Sequence, residues 1–239
     1  MKIAIVGYGK MGKLIKKTIE ESKDMECVGV ASPEESKDLT DLPSDFDAII
    51  DFSHPDNLSG ILSYVEKNPK AVVIATTGFT EEQIRSIEAL SQKVPVVYTA
   101  NFSLGVTVFQ QVLKQITPIL RDTFDIEIIE KHHRLKLDAP SGTAKMLLSA
   151  IDENNEREKV YGREGNSKRK EEIGIHSIRG GTIVGEHTVL FTGDDEVFEI
   201  THQAHSKQIF ANGAVVAAKF AVKQEPGLYD MNDVLFGKR

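Results

Sequence analysis

The sequence predicts an α/β fold in two parts, an N-terminal doubly wound parallel sheet and a C-terminal α+β domain with a mixed or antiparallel sheet. Up to residue 100, short apolar runs alternate strictly with segments of helical periodicity, which is the pattern of a parallel sheet covered by helices. A G-x-G-x-x-G turn directly follows the first apolar run. Further along, three strand-like runs follow one another with glycines and no helix between them, which indicates antiparallel neighbours.

The five strands predicted in the first part are near-continuous apolar runs, as expected for strands that helices cover on both faces. They cover residues 2–6, 26–31, 47–52, 71–77 and 95–100. Apolar residues at helical spacing predict helices over residues 10–21, 54–67 and 80–92. This order of strands and helices is typical of a Rossmann-like fold.

The pattern changes after residue 102. Helices are predicted over residues 104–120, 141–152 and 206–222, and strands over 124–133 and in the runs IGIHSIRGG, TIVGEHTVLFTG and DEVFEITHQA. The polar, charged segment 162–172 is predicted to be a mobile loop. We therefore place a dinucleotide-binding domain at residues 1–102, completed by residues 207–239, and a substrate-binding domain at residues 103–206. The tail after residue 226 is expected to pack back on the first domain.

Composition and charge argue against several classes of function. The chain of 239 residues carries a formal net charge of −7, whereas nucleic-acid binding usually needs a basic face. No apolar run approaches the ~20 residues that span a bilayer, and the N-terminus lacks the apolar segment of a secretory signal. The single cysteine, Cys27, allows no disulfide within the chain. We expect a cytoplasmic protein that binds neither nucleic acid nor membrane.

The glycine turn between the first strand and the first helix has the spacing of a dinucleotide fingerprint. Its first glycine permits the tight turn, its second lets a pyrophosphate approach the backbone, and its third lets helix and strand pack closely. The helix N-terminus then faces the anion. The alternative is a glycine-rich turn in an α/β domain that binds no nucleotide. The cofactor-binding residues predicted here are Gly7, Tyr8, Gly9, Lys10, Met11 and Gly12.

The sequence leaves the choice between NADH and NADPH open. An acidic residue at the end of the second strand would bind the ribose hydroxyls of NAD, but the strand ends in Ala31 and Ser32, with Glu34 and Glu35 only nearby. Lys10 and Lys37 are candidates to meet a 2′-phosphate, which favours NADPH or both nucleotides.

Two later strand ends also belong to the edge of the sheet where ligands bind in open α/β folds. Small and hydroxyl side chains there let a nicotinamide ribose approach, and Asn101 is a candidate partner for the carboxamide. Ordinary turn and capping chemistry is the alternative, since Thr and Asn are common in turns. The candidate residues are Ala75, Thr76, Thr77, Thr99, Ala100, Asn101 and Phe102.

The segment EKHHRLKLDAPSGTA, residues 130–144, has two adjacent histidines just before a predicted helix start. Four interpretations compete: a metal site, a solvated charged edge, a site for a phosphate-like anion, and an acid–base site for a small polyanion. A metal site is disfavoured because no second ligand motif accompanies the histidines. The acid–base interpretation fits best, because a histidine can supply a proton near neutral pH and Lys136 is a compact positive charge.

The predicted helix start at Ser141 indicates which kind of substrate this acid–base site would bind. Ser141 is the predicted N-cap, which turns the backbone N–H groups of Gly142 and Thr143 toward a carboxylate at the positive end of the helix dipole. Gly142 lets the substrate come close, and the hydroxyl of Thr143 adds a hydrogen bond. The sequence therefore predicts a dicarboxylate site beside a nicotinamide, in a cleft between the two domains.

The motif E-x-H-H-R-x-K-x-D-A-P-S-G-T resembles the signature of the dihydrodipicolinate reductases, also called 4-hydroxy-tetrahydrodipicolinate reductases. The resemblance extends over the whole chain, through GYGKMG, ATTGF, TANFSLGV, IHSIRGGTIVGEH and HQAHSKQIFANGAVVAA. It implies reduction of 4-hydroxy-tetrahydrodipicolinate to tetrahydrodipicolinate by NADPH or NADH, in the diaminopimelate route to lysine. It also implies a homotetramer that assembles through the second domain, with residues 173–204 as the candidate interface.

The resemblance implies a role for each matching residue. His132 is the general acid and base, Lys136 is a proton donor, and His133, Gly142 and Thr143 bind the substrate. Lys207 stands where relatives often have arginine, which keeps the charge but loses bidentate geometry. Two other functions stay open: another dehydrogenase of amino-acid-derived carbonyl compounds, and a nucleotide sensor without catalysis.

Overall fold

The structure, a computed structural model, describes residues 1–35 and 37–237. The last two residues of the predicted dinucleotide-binding domain, 238–239, therefore lie outside the described part. The chain divides into two compact units. The first unit is Met1–Leu104 together with the C-terminal segment from Gln208 onward, and the second unit is Gly105–Lys207.

The described residues form eleven strands, seven α-helices and three 3₁₀ turns. The strands are β1 Lys2–Val6, β2 Glu26–Ala31, β3 Ala48–Asp51, β4 Ala71–Ile74, β5 Pro95–Tyr98, β6 Asp125–His132, β7 Glu158–Tyr161, β8 Glu172–Arg179, β9 Gly185–Thr192, β10 Val197–Ala204 and β11 Gly227–Tyr229. The α-helices are α1 Lys10–Glu20, α2 Leu58–Lys67, α3 Glu81–Ser91, α4 Leu104–Leu120, α5 Gly142–Ile151, α6 Gln208–Ala221 and α7 Met231–Phe236. The 3₁₀ turns are Pro33–Glu35, Leu39–Asp41 and Pro55–Asn57.

The first unit is built on a six-stranded parallel sheet in the order β11-β5-β4-β3-β1-β2. One face carries a core with α1 and α6, and the other carries a core with α2 and α3. Strands β3 and β4 are fully buried because both faces are covered. The predicted doubly wound fold is confirmed, and β11 confirms that the tail packs on the first unit.

The second unit has a five-stranded mixed sheet in the order β10-β9-β6-β8-β7. Its central strand β6 pairs parallel with β8 and antiparallel with β9, as the sequence predicted for a mixed or antiparallel sheet. Apolar residues of α4 and α5 share a core with Ile126 and Ile128 of β6. Because side chains alternate along a strand, Glu130 and His132 of β6 point to that same covered face.

Two features of the second unit were not predicted. The short strand β7 adds an edge to the sheet beside β8. The segment expected to be a mobile loop has no helix or strand before Glu172. It is nevertheless attached to the sheet, because Arg163 forms ion pairs with Glu127 and Glu172, and Arg169 forms one with Asp125 at 2.6 Å.

Candidate active site

Two of the three glycines in the turn of the first unit stand where a side chain would not fit. Gly7 has φ of +93°, and a Cβ on it would lie 2.6 Å from the carbonyl oxygen of Phe52. A Cβ on Gly12 would lie 2.1 Å from the carbonyl oxygen of Gly7, so α1 packs directly on the turn. Gly9 is the N-cap of α1 and has no side-chain cap, and a Cβ on it would enter open space. This open helix N-terminus fits a pyrophosphate group.

The other residues of the turn surround this opening. Lys10 is exposed, whereas Tyr8 and Met11 are half-buried against the core of the first unit. The ammonium groups of Lys13 and Lys16 lie 5.3 and 5.7 Å from the centre of the Tyr8 ring. These cations at the start of α1 add positive charge near the helix N-terminus.

The ends of β3 and β4 form a buried polar contact next to the glycine turn. Asp51 accepts a hydrogen bond from the Ser53 hydroxyl at 2.5 Å, and the Ser53 N–H donates to Oγ1 of Thr76 at 2.9 Å. Burial raises the pKa of Asp51 to about 6, against the lowering effect of these hydroxyl groups. Thr76 therefore positions the turn after β3, while its neighbour Thr77 is exposed and Ala75 is buried.

The segment after β5 is organised by its own side chains. The Asn101 N–H donates to Oγ1 of Thr99 at 3.4 Å, and the Ser103 N–H donates to Oδ1 of Asn101 at 2.9 Å. The Phe102 side chain is buried in the core, with its ring 5.9 Å from that of Phe52, so its backbone is the part a ligand can reach. Ala100 is exposed. The carboxyl ends of β1, β4 and β5 thus bring all the predicted cofactor residues to one edge of the sheet.

In the second unit, the carboxylate of Glu130 is the centre of a hydrogen-bonded network. Glu130 is fully buried, and both of its oxygens accept hydrogen bonds from the guanidinium of Arg179, at 2.8 and 2.7 Å. The backbone N–H of Ser141 donates to the same carboxylate at 3.1 Å. Burial raises the pKa of Glu130, but the hydrogen bonds from Arg179 and His132 outweigh it and lower the pKa to about 2. The group is therefore a carboxylate at neutral pH.

His132 is bound to this carboxylate at the end of β6. Its Nδ1 lies 2.5 Å from Oε2 of Glu130, and the residue is 8% exposed. Burial lowers the pKa of His132, with Lys136 and Arg179 acting in the same direction and Glu130 acting against them. The imidazole is thus held in place. Its charge depends on the opposing effects of Glu130 on one side and of burial, Lys136 and Arg179 on the other.

A second histidine and the start of α5 complete the network. Nε2 of His187 lies 2.8 Å from Oγ of Ser141, and that oxygen also accepts the N–H of Ala144, which confirms Ser141 as the N-cap. The rings of His187 and His132 meet edge to face at 5.1 Å. Burial, together with the charge of His132, lowers the pKa of His187 to about 4, so this ring is neutral at pH 7.

The predicted substrate-binding residues lie around this network. Gly142 begins α5 and is exposed, with open space where a side chain would stand, and Thr143 follows it half-buried. His133 is half-buried directly after β6. Nζ of Lys136 lies 2.8 Å from Oδ1 of Asp138, whose pKa this ammonium lowers. The Lys136 side chain is 21% exposed and carries its charge on the loop between His132 and α5.

Three residues of the network were not predicted. Arg179 and His187 lie in the motif IHSIRGGTIVGEH, and Glu130 begins the histidine motif, but none of them was assigned a function. Their charged or imidazole groups among the apolar residues of β6, β8 and β9 were the available signal. No group of side chains with metal-binding geometry occurs within residues 1–35 and 37–237. In the same residues, no helix is both long and apolar enough to cross a bilayer.

Comparisons with known proteins cover both units. Models of the dihydrodipicolinate reductase N-terminus and C-terminus match residues 1–102 and 105–235. A protein from Brachyspira hyodysenteriae called 4-hydroxy-tetrahydrodipicolinate reductase is 45% identical over 238 residues, with 98% of this chain and 100% of the relative covered. One of the same name from Clostridium botulinum is 44% identical over 247 residues, covering 98% of both chains.

The similar solved structures include one that matches over nearly its whole length. It is a dipicolinate-bound dihydrodipicolinate reductase from Paenisporosarcina sp. TG-14, with a TM-score of 0.80 and 26% identity, and 99% of each chain is covered. Both parts of the chain thus match one family.

Proposed function

This chain belongs to the dihydrodipicolinate reductase family, and on that premise we propose that it reduces 4-hydroxy-tetrahydrodipicolinate to tetrahydrodipicolinate with NADPH or NADH. The reaction is a step of the diaminopimelate route to lysine, and we place it in the cytoplasm. One observation carries the proposal: the buried pair of Glu130 and His132 shares its carboxylate with the helix start at Ser141. An acid–base group and an anion-binding group therefore belong to one rigid network.

The second unit binds the dicarboxylate substrate. The N-terminus of α5 at Gly142 and Thr143 takes one carboxylate, because the positive end of the helix dipole favours an anion there. Lys136 and His133 lie near the other carboxylate, and Lys136 exchanges its contact with the exposed Asp138 for the substrate. The related enzyme from Paenisporosarcina was solved with dipicolinate, a planar dicarboxylate, which supports this assignment.

The first unit binds the nucleotide. The open N-terminus of α1 at Gly9 receives the pyrophosphate, and the segments 75–77 and 99–102 bind the nicotinamide ribose and carboxamide. When bound, the reduced nicotinamide supplies the hydride. The residue that follows β2 is the buried Ser32 and not a carboxylate. Lys37, which could meet a 2′-phosphate, is exposed. This edge excludes neither ribose form, so we propose that both NADPH and NADH are used.

The residues of the second unit handle the proton and the water molecule. Lys136 assists the departure of the 4-hydroxyl group as water, which leaves a conjugated imine. A hydride at C4 then shifts an electron pair within the ring, and His132 delivers the proton that completes the reduction. The two negative charges of the substrate favour the protonated imidazole, which offsets the effect of burial on the pKa of His132.

We further propose that four copies assemble through the sheet of the second unit, within residues 173–204. Large apolar side chains are exposed on these strands, namely Ile178, Val197 and Phe198, and such side chains are typical of interfaces. Light scattering after size-exclusion chromatography is expected to give the mass of four chains. The mass of one chain at micromolar concentration would contradict the assembly.

A coupled assay tests the reaction. A dihydrodipicolinate synthase forms the unstable substrate in the cuvette, and oxidation of NADPH and of NADH is followed by absorbance. We expect both nucleotides to be consumed, in amounts that match the substrate formed, and no consumption when the synthase is omitted. Absence of consumption with both nucleotides, while the purified protein still binds NADPH, would reject the proposed substrate.

A further inference from the structure

We propose that Glu130 is the positioning residue for His132: its carboxylate holds the imidazole proton on Nδ1, so that Nε2 is the atom that exchanges a proton with the substrate. This inference rests on the proposed function of His132 and adds to it which nitrogen acts and what fixes it. Glu130 contacts Arg179 and Ser141, and Gly185 lies beside the His132 ring.

Hydrogen bonds from other residues fix the position of the Glu130 carboxylate independently of His132. Arg179 binds both oxygens from β8, and the Ser141 N–H binds Oε1 from the start of α5. Arg179 is itself fixed, because its Nη2 also donates to the carbonyl oxygen of Asp138 at 2.6 Å. The oxygen that faces His132 is therefore set by three elements of the fold, which is the arrangement that a positioning group needs.

The contact with this carboxylate selects the tautomer of His132. An ionised carboxylate only accepts hydrogen bonds, and Oε2 of Glu130 lies 2.5 Å from Nδ1. The proton of the neutral ring must then be on Nδ1, and Nε2 carries the lone pair. No described residue forms a hydrogen bond with Nε2 of His132. Gly185 lies on that side of the ring, since a Cβ on it would stand 3.1 Å from Nε2.

Several charged or titratable groups face His132, and they set the direction of its pKa. Glu130 on β6 stabilises the imidazolium, whereas Arg179 on β8 and Lys136 on the following loop destabilise it. His187 on β9 is neutral at pH 7 and contributes little charge there. Removal of the Glu130 charge thus leaves two cations beside the ring, and the pKa of His132 must fall.

The first test needs no substitution. Nitrogen-15 NMR of the free wild-type protein, above the pKa of His132, distinguishes a ring protonated on Nδ1 from one protonated on Nε2. A His132→Gln sample assigns the signal. We expect the Nδ1–H form, and a ring protonated mainly on Nε2 would overturn the proposal. Because no substrate is present, this result is independent of whether the proposed reduction takes place.

The second test is Glu130→Gln. The amide can donate or accept, so we expect a mixture of tautomers and a lower pKa of His132 in the NMR titration. In the coupled assay we expect kcat to fall by about 10²-fold, at the lower end of what general acid catalysis supplies. The protonated imidazole is the active form, so the alkaline limb of the kcat/KM profile should move to lower pH. A folded variant with the wild-type tautomer and wild-type pH profile would overturn the proposal.

The chain offers a matched control on the opposite face of the same strand. Glu127 also contacts a histidine and an arginine, His176 at 2.7 Å and Arg163 at 2.6 Å. Glu127→Gln removes the same kind of contacts, but it should leave kcat and the pH profile unchanged. An equal loss in both variants would assign Glu130 to stability alone and overturn the proposal.

Gly185→Ala keeps the proposal testable if Glu130→Gln fails to fold. The added methyl group would stand 3.1 Å from Nε2 of His132, and neither Glu130 nor Arg179 is among the atoms nearest to it. We expect the ring to stay protonated on Nδ1 while kcat falls by about 10-fold or more, because access to Nε2 is hindered. Unchanged kcat in this variant would show that Nε2 is not the atom that meets the substrate.

Discussion

His132→Ala is expected to lower kcat of the coupled reaction by about 10²- to 10⁴-fold, the range that a positioned general acid supplies. Lys136→Ala is expected to lower kcat by a similar factor. It should also raise KM, since the proposed role of this ammonium includes pairing with a substrate carboxylate as well as assisting the loss of water. Nucleotide affinity should stay at the wild-type level in both variants, because the residues that we propose to bind the nucleotide belong to the first unit.

The size of the first effect follows from the surroundings of His132. The ring is 8% exposed, and Glu130 holds it from one side, so bulk water does not easily take its place as a proton donor. The ring in contact with it, His187, cannot take over this role, because it is bound to Ser141 and has a pKa of about 4. A loss of activity after His132→Ala should therefore not be rescued by its neighbour.

Two controls separate chemistry from general damage. His176→Ala removes a histidine that is ion-paired with Glu127 on the other face of the sheet, and Lys131→Ala removes a lysine that is paired with Glu186 at 2.5 Å. Both should retain wild-type kcat. If His132→Ala and Lys136→Ala also turned over at the wild-type rate, the assignment of both residues would have to be abandoned.

The parts of the molecule that the sequence predicted depend on local patterns. The alternation of strands and helices to residue 100 is a property of short windows, and so is the N-cap at Ser141, which sits directly before the helix it caps. The glycine turn can likewise be recognised in a short window of sequence, because its spacing follows from the path of the backbone around Gly7 and Gly12.

The network around Glu130 could not be predicted, because it depends on strand register. Arg179 is 49 residues away in sequence, and it reaches Glu130 because β6 and β8 align His132 with Arg179. His187 lies opposite Glu130 on β9 for the same reason. A one-residue slip would turn these side chains to the other face of the sheet, and nothing in a short window of sequence fixes that register.

The motif HQAHSKQIFANGAVVAA contains Gly213, and only the structure explains why a glycine occupies this position. Gly213 lies in the middle of α6, where glycine costs about 1 kcal/mol relative to alanine. A Cβ on Gly213 would lie 1.6 Å from the carbonyl oxygen of Phe102. The helix backbone and the segment after β5 therefore touch directly, and the glycine keeps that segment in place.

Gly213→Ala is therefore expected to destabilise the protein, although alanine favours helices. Overpacking in a core costs about 1–3 kcal/mol and occasionally more, and here the obstacle is a backbone atom, which cannot rotate away. We expect a net loss of about 2 kcal/mol or more, measured as a lower midpoint of thermal or urea unfolding of the first unit. The affinity for NADPH should fall as well, because residues 99–102 must shift.

Gly60 of α2 provides the opposite case in the same unit. It is also a glycine within a helix, but a Cβ on it would meet nothing within 4 Å. Gly60→Ala is thus expected to raise stability, by up to about 1 kcal/mol. Opposite shifts of the two midpoints would show that contact with Phe102, and not helix propensity, determines the outcome at Gly213. A stabilising effect of Gly213→Ala would mean that α6 and the segment after β5 stand further apart than this structure has them.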